Sequence, residues 1–225
     1  MLSIVIPTLN AEASLAETLG RVHAHAPPRL EVLVVDGGST DTTLTIAADH
    51  GAKLISSAPG RGRQLALGAE RAQGPWLLFL HADTRLPKDW EQDVSRYITN
   101  PQNQERAAYF RLAFDTARPS AKRVATLANW RAGTFALPYG DQGLLIHRNL
   151  YERIGGFNAK LNLMEDVDLV RRIGPMRLRM LNATVTTSAA KYERDGWWAR
   201  PARNLVCLTM HLLGLPQRWI ERLYA

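Results

Sequence analysis

The chain has 225 residues, 46% of them hydrophobic and 22% charged, enough for one well-filled domain without disulfides or structural metal. Its single cysteine, Cys207, excludes an intramolecular disulfide and any thiolate cluster, and fits a reducing compartment. The formal net charge of +7 favours anionic partners, yet the basic residues are spread out and form no nucleic-acid-binding tail.

The opening residues carry no basic region and stop at Pro7, and no stretch reaches the roughly 18 apolar residues of a membrane span. A cytoplasmic protein is expected. An apolar run at 2–6 predicts a strand, followed by the loop Pro7-Thr8-Leu9-Asn10-Ala11-Glu12 and a helix over 12–24. Short polar groups ahead of a helix N-terminus suit an anion, although Thr8 or Asn10 serves equally as the helix cap.

A second strand at 31–35 runs into Asp36-Gly37-Gly38-Ser39-Thr40-Asp41. There a carboxylate followed by two glycines lets the backbone bend closely around a ligand. Asp36 is placed to accept hydrogen bonds from a base or ribose, or else braces the turn; Asp41 reads as the cap of a helix over 41–50. After a strand at 52–55, Gly60-Arg61-Gly62-Arg63-Gln64 opens a helix over 61–72. Two arginines among glycines suit a pyrophosphate, the plainer alternative being exposed surface arginines.

The run at 76–80 is a buried strand leading directly into His81-Ala82-Asp83-Thr84. A carboxylate beside an imidazole at a strand end outlines a divalent-cation site, for Mg²⁺ or Mn²⁺, since zinc would want a second His or Cys nearby. Further on, the pattern predicts a helix over 87–98, a polar loop at 99–104, a strand at 107–114, a helix over 120–134 and a strand at 143–147. A helix over 164–172 opens with Met164-Glu165-Asp166-Val167-Asp168. Its carboxylates are stabilised by the helix dipole, and one of them is a candidate general base toward an acceptor hydroxyl; an ordinary acidic first turn is the alternative. Apolar strands alternating with helices predict an α/β domain over 1–195, a mostly parallel sheet flanked by helices with its ligand at the carboxyl ends of the strands.

Assembled in this order, these motifs resemble the family-2 glycosyltransferases of the GT-A fold, in particular a small bacterial branch associated with radical-enzyme gene clusters. The resemblance covers residues 1 to about 195, through Pro-Thr-Leu-Asn, Val-Asp-Gly-Gly-Ser-Thr-Asp, the Arg-Gln loop, Phe-Leu-His-Ala-Asp, Gly140-Asp141-Gln142-Gly143 and Glu165-Asp166. It implies a metal-dependent, inverting transfer of a sugar from a nucleotide-diphosphate sugar, with UDP favoured, to a small-molecule or lipid-linked acceptor. Pro7, Thr8, Leu9, Asn10, Glu12, Asp36, Gly37, Arg61, Arg63, Gln64, Ala82 and Asp83 would form the nucleotide site, with a donor half at about 1–100 and an acceptor half at about 101–195. Asp83 would hold Mn²⁺ or Mg²⁺, Asp166 beside Glu165 would be the base, and Asp141 and Gln142 would lie on the acceptor side. His81 stands where the family's Asp-X-Asp motif begins, and Gly37 where a second aspartate is common; both changes remove negative charge and imply weaker metal affinity.

A nucleotidyltransferase would show a Gly-rich signature with a lysine near the N-terminus, and Pro7–Glu12 has neither. A non-catalytic nucleic-acid-binding module would leave the acids at the strand ends unexplained. Residues 196–225 are amphipathic and aromatic, broken at Pro201 and Pro216. Their apolar side chains, Trp197, Trp198, Leu205, Leu208, Met210, Leu212, Leu213 and Trp219, are expected to pack on the domain or in a homodimer. The alternative is that, with Arg200, Arg203, Arg218 and Arg222, they lie on an anionic membrane surface at its inner face.

Overall fold

The computed structural model describes residues 1–24 and 29–224. Its first half is built as the sequence pattern predicts. Strands β1 (Leu2–Thr8), β2 (Leu30–Asp36), β3 (Lys53–Ser56) and β4 (Trp76–Phe79) run parallel in the order β3-β2-β1-β4. Between them run α1 (Glu12–Ala24), α2 (Thr43–Asp49) and α3 (Arg61–Arg71).

Both faces of this sheet are covered over β1, β2 and β4, which is why those strands read as near-continuous apolar runs, while the edge strand β3 is largely exposed. Leu2, Ile4 and Ile6 of β1 pack with Leu15, Leu19 and Val22 of α1 on one face. Val5 points the other way and packs with Leu65 and Ala69 of α3. In β4, Trp76 and Leu78 join the first cluster while Leu77 and Phe79 join the second. Every loop leaving these strands toward a helix therefore opens at one edge.

Beyond β4 the sheet becomes mixed. The remaining strands are β5 (Thr84–Arg85), β6 (Ala107–Phe114), β7 (Leu144–His147) and β8 (Leu178–Thr187), continuing the order as β4-β7-β6-β8-β5. β7 pairs antiparallel with both β4 and β6, and β5 pairs antiparallel with β8. α4 (Trp90–Ile98) and α5 (Pro119–Phe135) match the expected helices, and α7 (Glu165–Ile173) starts one residue after the left-handed Met164. The pattern does not anticipate β8, α6 (Arg148–Arg153) or α8 (Ala190–Asp195). β8 buries one face only, and its polar Arg179, Asn182 and Thr184 interrupt the apolar signal. The polar loop at 99–104 contains a 3-10 turn at Pro101–Glu105, with the Asn100 side chain accepting from the Gln102 amide.

The C-terminal part forms α9 (Ala199–Leu212) and α10 (Gln217–Tyr224). Pro201 does not break α9: it lies in the first turn, where a missing N–H costs nothing. The helices dock on α7 through Met164, Val167, Cys207, Leu208 and Ile220. Packing on the domain accounts for Leu208, Trp197 and Met210 but not for the rest of the expected set, because Trp198, Leu205, Leu212, Leu213 and Trp219 are exposed. Arg200 also departs from the expected surface role, being buried against Asp195 and Tyr224.

The approach of α3 to the sheet is set by Gly68, where an added Cβ would lie 2.3 Å from Val5 Cγ1 and 3.0 Å from Val35 Cγ2. Overpacking of this kind costs roughly 1–3 kcal/mol, against at most about 1 kcal/mol recovered from helix propensity. Gly68→Ala is therefore expected to lower stability by about 1 kcal/mol or more, seen as a reduced urea midpoint with an unchanged slope.

Candidate active site

At the carboxyl ends of β1 and β2 the loops brace one another. Asn10 adopts a left-handed conformation (φ 50), which Asn tolerates better than most residues. Its amide donates to Ser39 Oγ at 2.8 Å, and its side-chain oxygen accepts from the Thr40 amide at 2.9 Å. Glu12 accepts from the Thr42 amide and hydroxyl, while Asp41 accepts from the amides of Glu12 and Thr43; Asp41 thus braces the turn, and the N-cap of α2 is Thr42 rather than the expected Asp41. Asp36 is buried and accepts from Thr8 Oγ1, the Gly38 and Ser39 amides and Ser39 Oγ. Burial opposes its charge, but the hydrogen bonds from Ser39, Gly38 and Thr8 outweigh it and hold the carboxyl below its ordinary range. The buried Gln64 amide donates to the carbonyls of Thr8 and Val35 at 2.7 and 2.8 Å, tying the two strand ends together.

Two adjoining cavities open at this edge. One, of about 430 Å³, is walled by Pro7–Ala11 on one side and by Arg61, Asp83 and Lys191 on the other. The other, of about 90 Å³, is walled by Asp141, Asp166 and Met164, with Tyr139, Tyr192 and Tyr224 around it. Arg61, His81, Asp83 and Lys191 line both, so they form the partition between them. The first of these lies within the roughly 300–1,000 Å³ that holds a small-molecule ligand.

The partition is charged, with Arg61, His81 and Asp83 half-buried and Lys191 exposed. Asp83 pairs with Lys191 at 3.0 Å; burial works against its ionisation, yet the charges of Lys191 and Arg61 hold its carboxyl low. Burial and the neighbouring Arg61 charge push His81 down to about 3, so its imidazole is neutral at physiological pH. Gly140 sits against His81: an added Cβ would lie 2.4 Å from His81 Nε2 and 3.4 Å from Asp166 Oδ2. This close approach lets the Gly140 amide donate to Asp166 Oδ2 at 2.6 Å, while Asp166 Oδ1 accepts from the Val167 amide at 2.7 Å. The second carboxylate of the pair, Glu165, is fully buried and lies 3.5 Å from Arg61. Burial raises it to about 7 despite the pull of Arg61, whereas Arg61 keeps its charge. Burial likewise raises Asp141 to about 6, against the opposing charge of Arg131.

The structure thus brings Pro7, Thr8, Leu9, Asn10, Arg61, Gln64, Ala82 and Asp83 to one cavity, and Asp83, Asp141 and Asp166 to the other. Asp36 stands behind Thr8, one side chain away from the cavity. Glu12, Gly37 and Arg63 line neither cavity, and Arg63 is exposed. Gln142 is buried and donates to the Phe110 carbonyl at 3.1 Å, so it supports the strand next to the acceptor-side loop. Lys191, Asn162, Arg200, Asn204 and Tyr224 also line the cavities and were not anticipated; none lies in a motif, and only the return of β8 beside Asp83 places Lys191 there. Among the described residues no group of three or more His, Cys, Asp or Glu is arranged to hold a metal. A Mg²⁺ or Mn²⁺ ion that draws its remaining ligands from substrate phosphates needs only one or two protein carboxylates, and Asp83 beside the neutral His81 fits that donor set.

The chain belongs to glycosyl transferase family 2, whose sequence model matches residues 3–155. It is 31% identical over 186 residues to a PGL/p-HBAD biosynthesis glycosyltransferase of Mycobacterium bovis, covering 75% of this chain and 67% of that one. A poly(ribitol-phosphate) beta-N-acetylglucosaminyltransferase, TarS of Staphylococcus aureus, is 33% identical over 107 residues, 43% of this chain and 18% of that one. The fold matches the crystal structure of S. aureus TarS 1-349 in complex with UDP, with a TM-score of 0.65 at 19% identity, covering 100% of this chain and 69% of that chain. It also matches glucosyl-3-phosphoglycerate synthase from Mycobacterium tuberculosis in complex with Mn²⁺, UDP and glucosyl-3-phosphoglycerate, with a TM-score of 0.62 at 18% identity over 96% of this chain and 81% of that chain. The protein is a glycosyltransferase of GT-A fold.

Glu165 and Asp141 both hold their protons more tightly folded than unfolded, so the folded state binds more protons than the unfolded one between the two sets of values. Stability is then greatest below an ordinary carboxylate value and falls as pH rises toward 7. Glu165→Gln is expected to flatten that fall, which carries up to about 3 kcal/mol for a shift of this size. Urea titrations at pH 4.5 to 7 check it; an unchanged slope would show that Glu165 is ionised in the native protein throughout.

Proposed function

We propose that the protein transfers a sugar, with inversion, from a nucleoside diphosphate sugar to an acceptor hydroxyl. The observation that carries this reading is the partition of Arg61, His81, Asp83 and Lys191 between two cavities, with Asp166 on the far side. A donor diphosphate lying along Pro7–Ala11 would set its phosphates against Arg61 and Lys191, whose charges oppose the negative charge that grows on the leaving group. The base would lie toward Thr8 and Asp36, and uridine is favoured because the matched neighbours were solved with UDP. Asp83 and His81 would hold Mn²⁺ or Mg²⁺ with the diphosphate oxygens. Bound there, the cation would add Lewis-acid stabilisation of the departing diphosphate.

Asp166 is the proposed base. Both its oxygens are fixed by backbone amides, which sets the orientation of the carboxylate while leaving lone pairs free for a third partner. The acceptor oxygen forms its bond to the anomeric carbon as the bond to the diphosphate oxygen breaks, and the acceptor proton passes to Asp166. Glu165 does not share this role, because it is enclosed, held against Arg61 and raised toward neutrality by burial.

Asp166→Asn should fold and bind UDP as the parent does, yet lose transfer by about 10²–10⁴-fold. Full turnover of a UDP-sugar by that variant would remove Asp166 from the mechanism. Asp83→Ala should abolish the gain in UDP affinity produced by Mn²⁺, measured by calorimetry with and without the metal; an unchanged gain would place the cation elsewhere.

A further inference from the structure

α9 buries one face, with Cys207 and Leu208 packed toward α7 and Arg200 against Asp195, and carries a second apolar face outward. Arg200 and Cys207 are buried, whereas Trp198, Leu205, Val206 and Leu213 are 75%, 62%, 49% and 72% exposed. With the exposed Ala202, Thr209 and Leu212 they recur every three or four residues, and so form one continuous stripe along the helix. Single exposed apolar residues need no explanation, but a stripe of this length marks a surface that is covered in use. α10 adds exposed Trp219 and Leu223, alternating with exposed Arg218 and Arg222. Arg203 is also partly exposed, while the acid on these helices, Glu221, accepts a hydrogen bond from Asn162.

The chemistry of this face selects its occupant. Tryptophans and arginines flanking an aliphatic stripe match the headgroup boundary of a bilayer, where rings and long basic side chains place apolar bodies inward and polar ends in water. The excess of arginine over acid matches anionic headgroups, in keeping with the net charge of +7. No described helix is long and apolar enough to cross a membrane, so such contact would lie in the plane of the surface. The same two helices supply Arg200, Asn204 and Tyr224 to the wall of the cavity that holds Asp166.

We propose that α9 and α10 form a docking surface for bilayers carrying anionic lipid headgroups and, resting on the transferase reading above, that this surface brings a lipid-linked acceptor to Asp166. Leu205 and Leu213 lie on the stripe and outside both cavities, so Leu205→Glu/Leu213→Glu tests the surface without touching the site.

The full chain is sedimented with vesicles of phosphatidylcholine alone or mixed with phosphatidylglycerol, in low and high salt. The expected result is at least about tenfold stronger binding to the mixed vesicles, weakened by salt, and lost in the double variant. Binding that is absent, or equal on both vesicles, would overturn the proposal. So would a concentration-dependent dimer in light scattering that the double variant dissolves, since a second copy would then cover the stripe. UDP binding, followed by calorimetry, should be the same in parent and variant. Failure of the parent to bind UDP would strike the transferase reading and its lipid-linked acceptor, while the vesicle result would still decide the docking surface.

Discussion

Arg61 reaches across 104 positions of sequence to Glu165, and the geometry of the site depends on that meeting. It joins the start of α3, which belongs to the parallel half of the sheet, to the start of α7, which follows the antiparallel turn at β7. The neighbouring Gly62 amide donates to the Leu161 carbonyl at 3.1 Å and fixes the same junction through the backbone. A buried carboxyl facing a guanidinium normally ionises, but here one Glu165 oxygen has no hydrogen-bond partner and enclosure dominates. The pair therefore works as a clamp whose cationic half stays charged. That leaves Arg61 with positive potential to project into the partition rather than neutralised within it.

Acidic groups are distributed unevenly about the partition. Arg61 and Lys191 face both cavities, whereas Asp141 and Asp166 line only the one beyond. A phosphate-bearing ligand along Pro7–Ala11 would thus meet the cations without those two acids. Asp83 lies between the cavities, kept ionised by the cations on either hand. His81, with its neutral imidazole, adds no charge to this balance.

The parallel half of the fold was legible because its strands are buried on both faces and end at prolines, glycines and aspartates that have few other uses. β8 was not, since a strand buried on one face and carrying Arg179 and Asn182 has no such signature. That omission hid Lys191, which meets Asp83 only because the Ser188 amide donates to the Asp83 carbonyl at 3.1 Å and brings the chain back to the sheet edge. Motif reading also placed Gln64 and Gln142 at the ligand site; each spends its amide on buried carbonyls, and of the two Gln64 lines a cavity while Gln142 lines neither. A glutamine that orders a loop and one that touches a ligand look alike in sequence; burial alone separates them.

Cys207 sits on the face of α9 that packs against α10, fully enclosed, with its sulfur directed toward the Ile220 carbonyl at 4.0 Å. As the single thiol of the chain it is a built-in reporter: alkylating reagents reach it only when the terminal helix pair peels away from α7. Its labelling rate therefore measures how often that pair opens, independently of the rest of the domain.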